Sequence, residues 1–223
     1  MSGVRGQLVK VRLEKLRPTQ GAVGYDEVAF RRRQLSALRS EERDRFISER
    51  PFPAVLGPSA EHFIIDGHHL GRALLEEGVG MAPLSLIEDF SHLEPIAFWQ
   101  VMDRRGLIFP YDVNGRCQDF EKLPKTLREL ADDPFRSLAA QVRRVGGYPK
   151  DSTPFAEFKW ADYFRCHISL AALNTFPEIA AQCARKLVQH GTSICEKCDA
   201  ALSGMCGRGQ RAGAGDLSAQ GDL

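Results

Sequence analysis

Residues 51–79 read PFPAVLGPSAEHFIIDGHHLGRALLEEGV, and this stretch decides the fold. It predicts a short strand at Ala54–Leu56, a Gly-Pro turn and a second strand at His62–Ile65. Asp66-Gly67 then opens a helix over about residues 68–77, which a glycine ends. Alternation of apolar and polar residues resumes in MAPLSLIEDF and predicts a third strand. Strands and helices therefore interleave, so we predict an α/β or α+β fold around a small sheet.

The residues before this stretch predict one more strand and two helices. Gln7–Leu16 alternates charged and apolar residues as a half-buried strand does, and Arg17-Pro18 ends it. Apolar residues spaced by helical turns predict a helix over Asp26–Ala37, with Asp26 near its N-cap. A second helix is predicted at Ser40–Glu49.

The second half of the chain is predicted to be mostly helical. The predicted helices lie at Leu93–Arg105, about Lys122–Leu130, Pro134–Val145 and 155–168, with turns at Ile108–Gly115. The last of these helices, FAEFKWADYFRCHI, is dense in aromatic residues, which favours a buried core over a surface on which bases stack.

These patterns divide the chain into four parts. We predict a sheet domain at 7–90, a helical extension packed on it at 91–170, and a C-terminal helix with a cysteine-containing segment at 171–203. A disordered tail is predicted at 204–223, because it holds six glycines and almost no large apolar side chain.

Composition limits the function. The 223 residues are 43% hydrophobic and 26% charged, which excludes a collagen-like chain, and no apolar run approaches the roughly 20 residues of a membrane span. The net charge of +1 gives no overall field that attracts nucleic acid, and Arg31-Arg32-Arg33 is expected to be a solvated helix face.

The first 20 residues lack a signal peptide's apolar core, and the six cysteines are unevenly spread. We therefore expect a cytoplasmic protein without disulfides.

The junction Asp66-Gly67-His68-His69 carries the candidate chemistry. A strand that turns directly into a helix leaves backbone N–H groups free at the positive helix end, which favours a phosphate or another anion. His68 and His69 point about 100° apart, so one can face the site while the other packs inward. Asp66 can cap the helix, orient a histidine or bind a metal through one oxygen. The alternative is a purely structural junction with Asp66 as the N-cap and both histidines satisfied.

The order of motifs resembles the ParB/sulfiredoxin superfamily, and more closely the family called "putative ParB-like nuclease". The matching segments, which include LRPTQ, IIDGHHLGRAL and DDPFRSLA, span Leu16–Gln20, Val23–Val28, Ile64–Leu74, Ser91–Leu93, Phe98–Trp99, Phe109–Gly115 and Asp132–Tyr163. The resemblance implies a small mixed sheet with helices and a phosphate-handling motif at the strand-to-helix junction.

Superfamily members with a known reaction bind nucleotides: partition proteins hydrolyse CTP, sulfiredoxin uses ATP, and free-serine kinases carry a similar motif. Glu27 resembles by position the general base of those kinases, with a solvated helix-start glutamate as the alternative. Arg17 is similar in position to loop residues near the triphosphate, or is a surface arginine. Leu70 stands where the kinases carry Arg, with Arg72 two residues later. The junction lacks sulfiredoxin's cysteine, which disfavours sulfinic-acid repair.

Three function classes follow. We favour an enzyme that binds a nucleoside phosphate with Mg²⁺ and transfers its phosphoryl group to a small hydroxyl-bearing acceptor, or hydrolyses it. A metal-dependent nuclease and a non-catalytic nucleotide- or protein-binding module are the alternatives. The predicted catalytic residues are Glu27, His68 and His69; the predicted ligand-binding residues are Arg17, Asp66, Gly67, His69 and Arg72, with Asp66 also a metal ligand.

A structural zinc site is not expected at the C-terminus. Cys195 and Cys198 form one C-x2-C pair, which Cys206 and His190 would have to complete. A single pair followed directly by a glycine-rich tail is a weak signal for zinc.

Overall fold

A computed structural model describes residues 5–150, 153, 155–175 and 177–189. The strands are β1 (Gln7–Arg12), β2 (Leu16–Pro18), β3 (Ala22–Val23), β4 (Phe52–Leu56), β5 (His62–Ile64), β6 (Met81–Asp89) and β7 (Ala131–Asp132). The helices are α1 (Tyr25–Ser36), α2 (Ser40–Ser48), α3 (His68–Glu76), α4 (Pro95–Arg104), α5 (Pro134–Arg144), α6 (Ala156–His167), α7 (Leu170–Thr175) and α8 (Pro177–Gln189).

Five strands form one mixed sheet in the order β1-β6-β4-β5-β2. The β1–β6 and β4–β5 pairs are antiparallel, whereas β4–β6 and β2–β5 are parallel. β3 and β7 form a separate two-stranded parallel ladder. The predicted mixed α/β fold around a small sheet is confirmed.

The single strand predicted over Gln7–Leu16 is wrong. The chain breaks into β1 and β2, which lie at opposite edges of the sheet, with a 3-10 turn at Leu13–Lys15 between them. Leu13 and Leu16 are both fully buried, and this three-residue spacing does not fit a two-residue alternation. Pro18 is tolerated in β2 because an edge strand need not donate every backbone N–H.

This connection requires a curled sheet. Residues 12 and 16 are joined by four residue steps, which span at most about 14 Å. The outer strands of a flat five-stranded sheet would lie about 19 Å apart. The sheet must therefore curl so that its two edges approach each other.

Three apolar clusters hold the elements together. Leu16, Phe52 and Ile64 pack with residues of α1 and α3 on one face of the sheet. Val55 and Phe63 pack on the other face with α4, where the Phe63 and Phe98 ring centroids are 4.7 Å apart. The third cluster joins α5, α6, α7 and α8, so the aromatic stripe of α6 is core, as predicted.

The helical part meets the sheet domain through the loop before α1. The β3–β7 ladder joins the two, and α1 packs against α5. Gly24 lies so close to α5 that an added Cβ would approach the backbone N of Ser137 to 2.7 Å and its Cα to 2.9 Å. Only a glycine permits this approach without displacing α5.

One local prediction is close and another is wrong. Gly24 is the N-cap residue of α1, and Asp26 lies in the first turn, near the N-cap as predicted. The helix predicted over about Lys122–Leu130 is absent from this described segment, which instead holds two 3-10 turns, Phe120–Lys122 and Leu127–Glu129. Pro124 lies between them and cannot donate to a continuous helix.

Among the described residues, no helix is long and apolar enough to cross a membrane. Cys166 and Cys183 are free thiols in the described part of the chain. The predicted disordered tail and the zinc candidates His190, Cys195, Cys198 and Cys206 lie outside the described residues.

Candidate functional site

A cavity of about 1000 Å³ opens at the N-terminus of α3. The predicted residues Glu27, Asp66, Gly67, His68 and His69 all line it. Helices α1 and α5 form facing walls, and α6 and the end of α2 complete it. The structure thus brings together residues about 40 positions apart in the sequence.

Gly67 makes the turn from strand to helix. Its φ of +82° is in the left-handed region, and an added Cβ would approach the Phe52 ring to 2.7 Å. Gly67 is the N-cap residue, so no side chain at that position covers the first-turn N–H groups. In the alternative of a structural junction, the N-cap role of Asp66 is therefore wrong, but its satisfied histidines agree with the hydrogen bonds of His68 and His69. Asp66 is exposed, and its Oδ1 accepts a hydrogen bond from the Gly67 N–H at 2.6 Å.

His68 points inward from the junction and is only 3% exposed. Its Nε2 accepts a hydrogen bond from the backbone N–H of Thr19 at 3.2 Å. The pKa of His68 is lowered to about 3, mainly by burial; a backbone hydrogen bond with Ile64 opposes this shift, and the positive charge of Arg136 adds to it. A neutral His68 therefore orders the loop after β2.

His69 makes the equivalent contact on the next loop residue. Its Nε2 accepts a hydrogen bond from the Gly24 N–H at 3.1 Å. Burial lowers the pKa of His69 well below its usual value, and the nearby charge of Arg136 adds to this. Both imidazoles are held neutral with Nε2 occupied, so their proposed roles in catalysis and binding stay predictions.

Glu27 lies in the first turn of α1 and is 4% exposed. Its Oε1 pairs with Arg31 at 3.2 Å, and its Oε2 pairs with Arg144 of α5. The alternative of a solvated helix-start glutamate does not fit this burial. Glu27 lines the cavity, but each of its oxygens already faces a guanidinium group.

The cavity carries an excess of positive charge. Five cationic side chains line it, which are Arg31, Arg50, Arg136, Arg143 and Lys150. Three carboxylates line it, which are Glu27, Asp66 and Glu157. Arg31 was predicted to lie on a solvated helix face, but its side chain lines the cavity. Its burial there, together with the positive charges of Arg143 and Arg50, lowers its pKa.

Arg17 and Arg72 do not line the cavity. Arg17 pairs with Glu61 at 2.5 Å and lies over the Phe63 ring, on the sheet face that α4 covers. Arg72 pairs with Glu76 at 2.6 Å. Its Nη1 also donates to three backbone carbonyls, those of Leu127, Arg128 and Leu130. These contacts give Arg72 a structural function and do not favour the predicted ligand contact of either residue.

The α5 side of the cavity is what the sequence analysis missed. Arg136, Ala140 and Arg143 line it at spacings of four and three residues, which places them on one helix face. Arg136 follows a capped helix start and directly neighbours the buried Phe135. The signal available in the sequence was that Arg136 lies among the apolar positions of α5, which indicated that its side chain is buried.

The acidic and thiol side chains offer little for a metal within the described part of the chain. No group of three His, Cys, Asp or Glu residues there is arranged to hold an ion. Asp66 is the carboxylate in the cavity that has no arginine partner among the described ion pairs.

Comparisons with known proteins agree with the motifs. The family model described as "Putative ParB-like nuclease" matches residues 9–166. The crystal structure of protein Atu1540 from Agrobacterium tumefaciens is 40% identical, with a TM-score of 0.75 over 81% of this chain and 91% of that one.

A second solved structure is much less similar. It is the C-terminally truncated chromosome-partitioning protein ParB from Caulobacter crescentus complexed with CTP-gamma-S. Its identity is 11% and its TM-score 0.30, over 87% of this chain and 98% of that one, and so low a score carries no argument. No curated protein matches the chain. The family match and the similarity to Atu1540 show that the chain belongs to the putative ParB-like nuclease family.

Proposed function

We propose that this protein binds a nucleoside phosphate in the cavity at the N-terminus of α3 and transfers or hydrolyses a phosphoryl group. The observation that carries the proposal is the charge of this cavity. Five cations and three carboxylates line it, and two of the carboxylates are already paired with arginines. A cavity with excess positive charge beside a helix N-terminus favours a phosphorylated ligand.

The cavity also has an apolar part that suits an organic ligand. Pro53, Ile65, Leu107 and Phe158 line it together with the charged residues. Binding cavities of several hundred Å³ commonly combine an apolar wall with a few polar groups. We assign the phosphates to the charged part and the nucleoside to the apolar part.

Asp66 fits a magnesium ion that is bound mostly through the ligand. Mg²⁺ is usually held by one or two carboxylates, phosphate oxygens and water, so three protein ligands are not required. Asp66 would hold the ion, which supplies charge neutralisation at the phosphates. The protein itself contributes positioning and fixed positive charge.

Glu27 is our candidate for the general base, which removes the proton from the hydroxyl group of a small acceptor. We place this reaction in the cytoplasm. Its carboxylate lines the same cavity, although Arg31 and Arg144 would have to release one oxygen. Arg31, which lines the cavity, would then be free to contact the phosphates. Such an exchange of partners couples ligand binding to activation of the base.

A nuclease would need His68 or His69 as a base or metal ligand. We favour the nucleotide enzyme because Nε2 of each ring accepts a backbone N–H. A charged pocket of limited volume also suits a small ligand better than a nucleic-acid strand.

Thermal unfolding tests this proposal, because a ligand that binds only the folded state raises the apparent stability. The wild-type protein is heated with ATP, ADP, CTP or GTP, with and without Mg²⁺, against sodium chloride of equal ionic strength. We expect at least one nucleotide to raise the midpoint. Phosphate release or transfer, measured with that nucleotide, then separates an enzyme from a binding module.

A further inference from the structure

Arg136 is buried without the partners that a buried cation requires. It is 8% exposed, yet its Nε and Nη1 atoms have no hydrogen-bond partner among the described residues. Among the described residues its ion pair joins Nη2 to the Glu157 carboxylate at a long 3.5 Å, and its guanidinium group lies 5.4 Å from the centroid of the Phe158 ring. A buried charge with unsatisfied donors costs stability, so this arrangement needs a reason.

Glu157 cannot neutralise the charge of Arg136 alone, because the same carboxylate also forms an ion pair with Arg143. The Arg143 guanidinium approaches the other Glu157 oxygen to 3.2 Å. One negative charge is thus shared between two guanidinium groups. Burial lowers the pKa of Arg136, and the negative charge of Glu157 opposes this only in part.

Arg165, in the same helical part, is better paired, although its Nε atom also has no hydrogen-bond partner among the described residues. It is also partly buried and lies over a phenylalanine ring, 5.1 Å from the centroid of Phe135. Two carboxylates serve it, Asp133 at 2.8 Å and Asp162. This part of the fold can therefore neutralise a buried guanidinium, and does not do so at Arg136.

The position of Arg136 relates it to the junction. It lines the same cavity as His68 and His69 at the N-terminus of α3, and its positive charge lowers the pKa of both histidines. It lines the cavity with Arg143 from the same face of α5. Two positive features, a helix N-terminus and an incompletely paired arginine, thus face one space.

We propose that Arg136 and Arg143 of the helical part bind the phosphate groups of the ligand, and that Glu157 occupies their guanidinium groups when no anion is bound. This inference rests on the proposed function for the identity of the ligand. Phosphate oxygens accept two parallel N–H bonds from a guanidinium group, which a shared carboxylate at 3.5 Å does not provide.

Inorganic pyrophosphate is the probe, since it carries the phosphate chemistry without a nucleoside. Titration calorimetry and thermal unfolding are measured on the full-length protein, with sodium chloride at equal ionic strength as the salt control. For Arg136→Met we expect an unfolding midpoint equal to or above that of the wild type, because a poorly paired buried cation is replaced by an apolar side chain. The affinity for pyrophosphate should fall at least about tenfold.

Arg165→Met is the matched control. It should lower the unfolding midpoint, because it leaves Asp133 and Asp162 without their arginine, and should leave the pyrophosphate affinity unchanged. Glu157→Gln removes the competing carboxylate and should tighten pyrophosphate binding by about fivefold. If Arg136→Met does not fold, the pyrophosphate affinity of Glu157→Gln tests the proposal on its own.

The outcomes separate this inference from the proposed function. Unchanged pyrophosphate binding in Arg136→Met, or weaker binding in Glu157→Gln, overturns the inference even if nucleotides bind. If pyrophosphate binding depends on Arg136 but no nucleotide binds more tightly than pyrophosphate, the inference is supported and the proposal that the ligand is a nucleotide is contradicted. No response to pyrophosphate or to any nucleotide would overturn both.

Discussion

His68 and Thr19 are joined by a hydrogen bond of 3.2 Å from the Thr19 backbone N–H to the His68 Nε2. The bond connects the start of α3 to the loop that follows β2, and Thr19 itself is fully buried. Its Oγ1 also donates to the Ile64 carbonyl at 3.0 Å. The first histidine of the junction therefore positions the loop that leads into the cavity.

This bond gives the protein a specific pH dependence. Burial lowers the pKa of His68 from 6.5 to about 3, so the unfolded chain binds a proton between those values and the folded protein does not. The His68 contribution is constant above about pH 6.5 and falls as the pH decreases toward 3. Between pH 7 and pH 5 we expect His68 to lower the free energy of unfolding by about 2 kcal/mol.

Urea unfolding of the wild type and of His68→Gln at both pH values measures this. Glutamine can accept the Thr19 N–H but does not titrate. The wild type should therefore lose more stability between pH 7 and pH 5 than the variant does. Equal losses would show that His68 is not held neutral in the folded protein.

The sequence predicted the mixed fold, the helix at about residues 68–77 and the junction, because those depend on local patterns. Asp66-Gly67 before an apolar helix is such a pattern. It did not predict that β1 and β2 separate, because strand pairing depends on contacts distant in the sequence. Nor did it predict Arg136, because an arginine beside apolar positions of a helix indicates burial but does not show that the side chain faces a cavity.

Arg72 is expected to stabilise the fold without binding the ligand. Its Nη1 donates to three carbonyls of residues 127–130, and it pairs with Glu76. Arg72→Met should lower the free energy of unfolding by about 2 kcal/mol, because it leaves these acceptors unpaired. Chemical denaturation measures the loss, with Arg128→Met as the exposed control. A weaker nucleotide affinity with unchanged stability would give Arg72 the ligand contact that its sequence position suggested.

Glu27 should affect turnover more than binding. Glu27→Gln keeps the shape of the side chain but cannot accept a proton, so turnover should fall by about a hundredfold or more. The affinity for nucleotide should stay the same or increase, because Arg31, which lines the cavity, loses a competing carboxylate. Asp26→Asn, at the neighbouring exposed position, is the control in steady-state kinetics. Retained turnover in Glu27→Gln would remove Glu27 from the chemistry.

Asp66 should affect only the magnesium-dependent part of binding. It is exposed, so Asp66→Ala should change the free energy of unfolding by less than about 0.5 kcal/mol. The additional stabilisation that Mg²⁺ gives in the presence of nucleotide should disappear in thermal unfolding. Asp119→Ala, which removes an exposed carboxylate elsewhere, should retain it. The same Mg²⁺ effect in both variants would rule out Asp66 as the ligand.

Titration calorimetry of the wild-type protein with the magnesium complexes of ATP, ADP, CTP and GTP tests the central claim most directly. The account predicts that at least one of them binds with a stoichiometry of one per chain, and that pyrophosphate competes for the same site. Absence of binding by all four at millimolar concentration, or binding that pyrophosphate does not displace, would contradict the assignment of the α3 cavity as a nucleoside phosphate site.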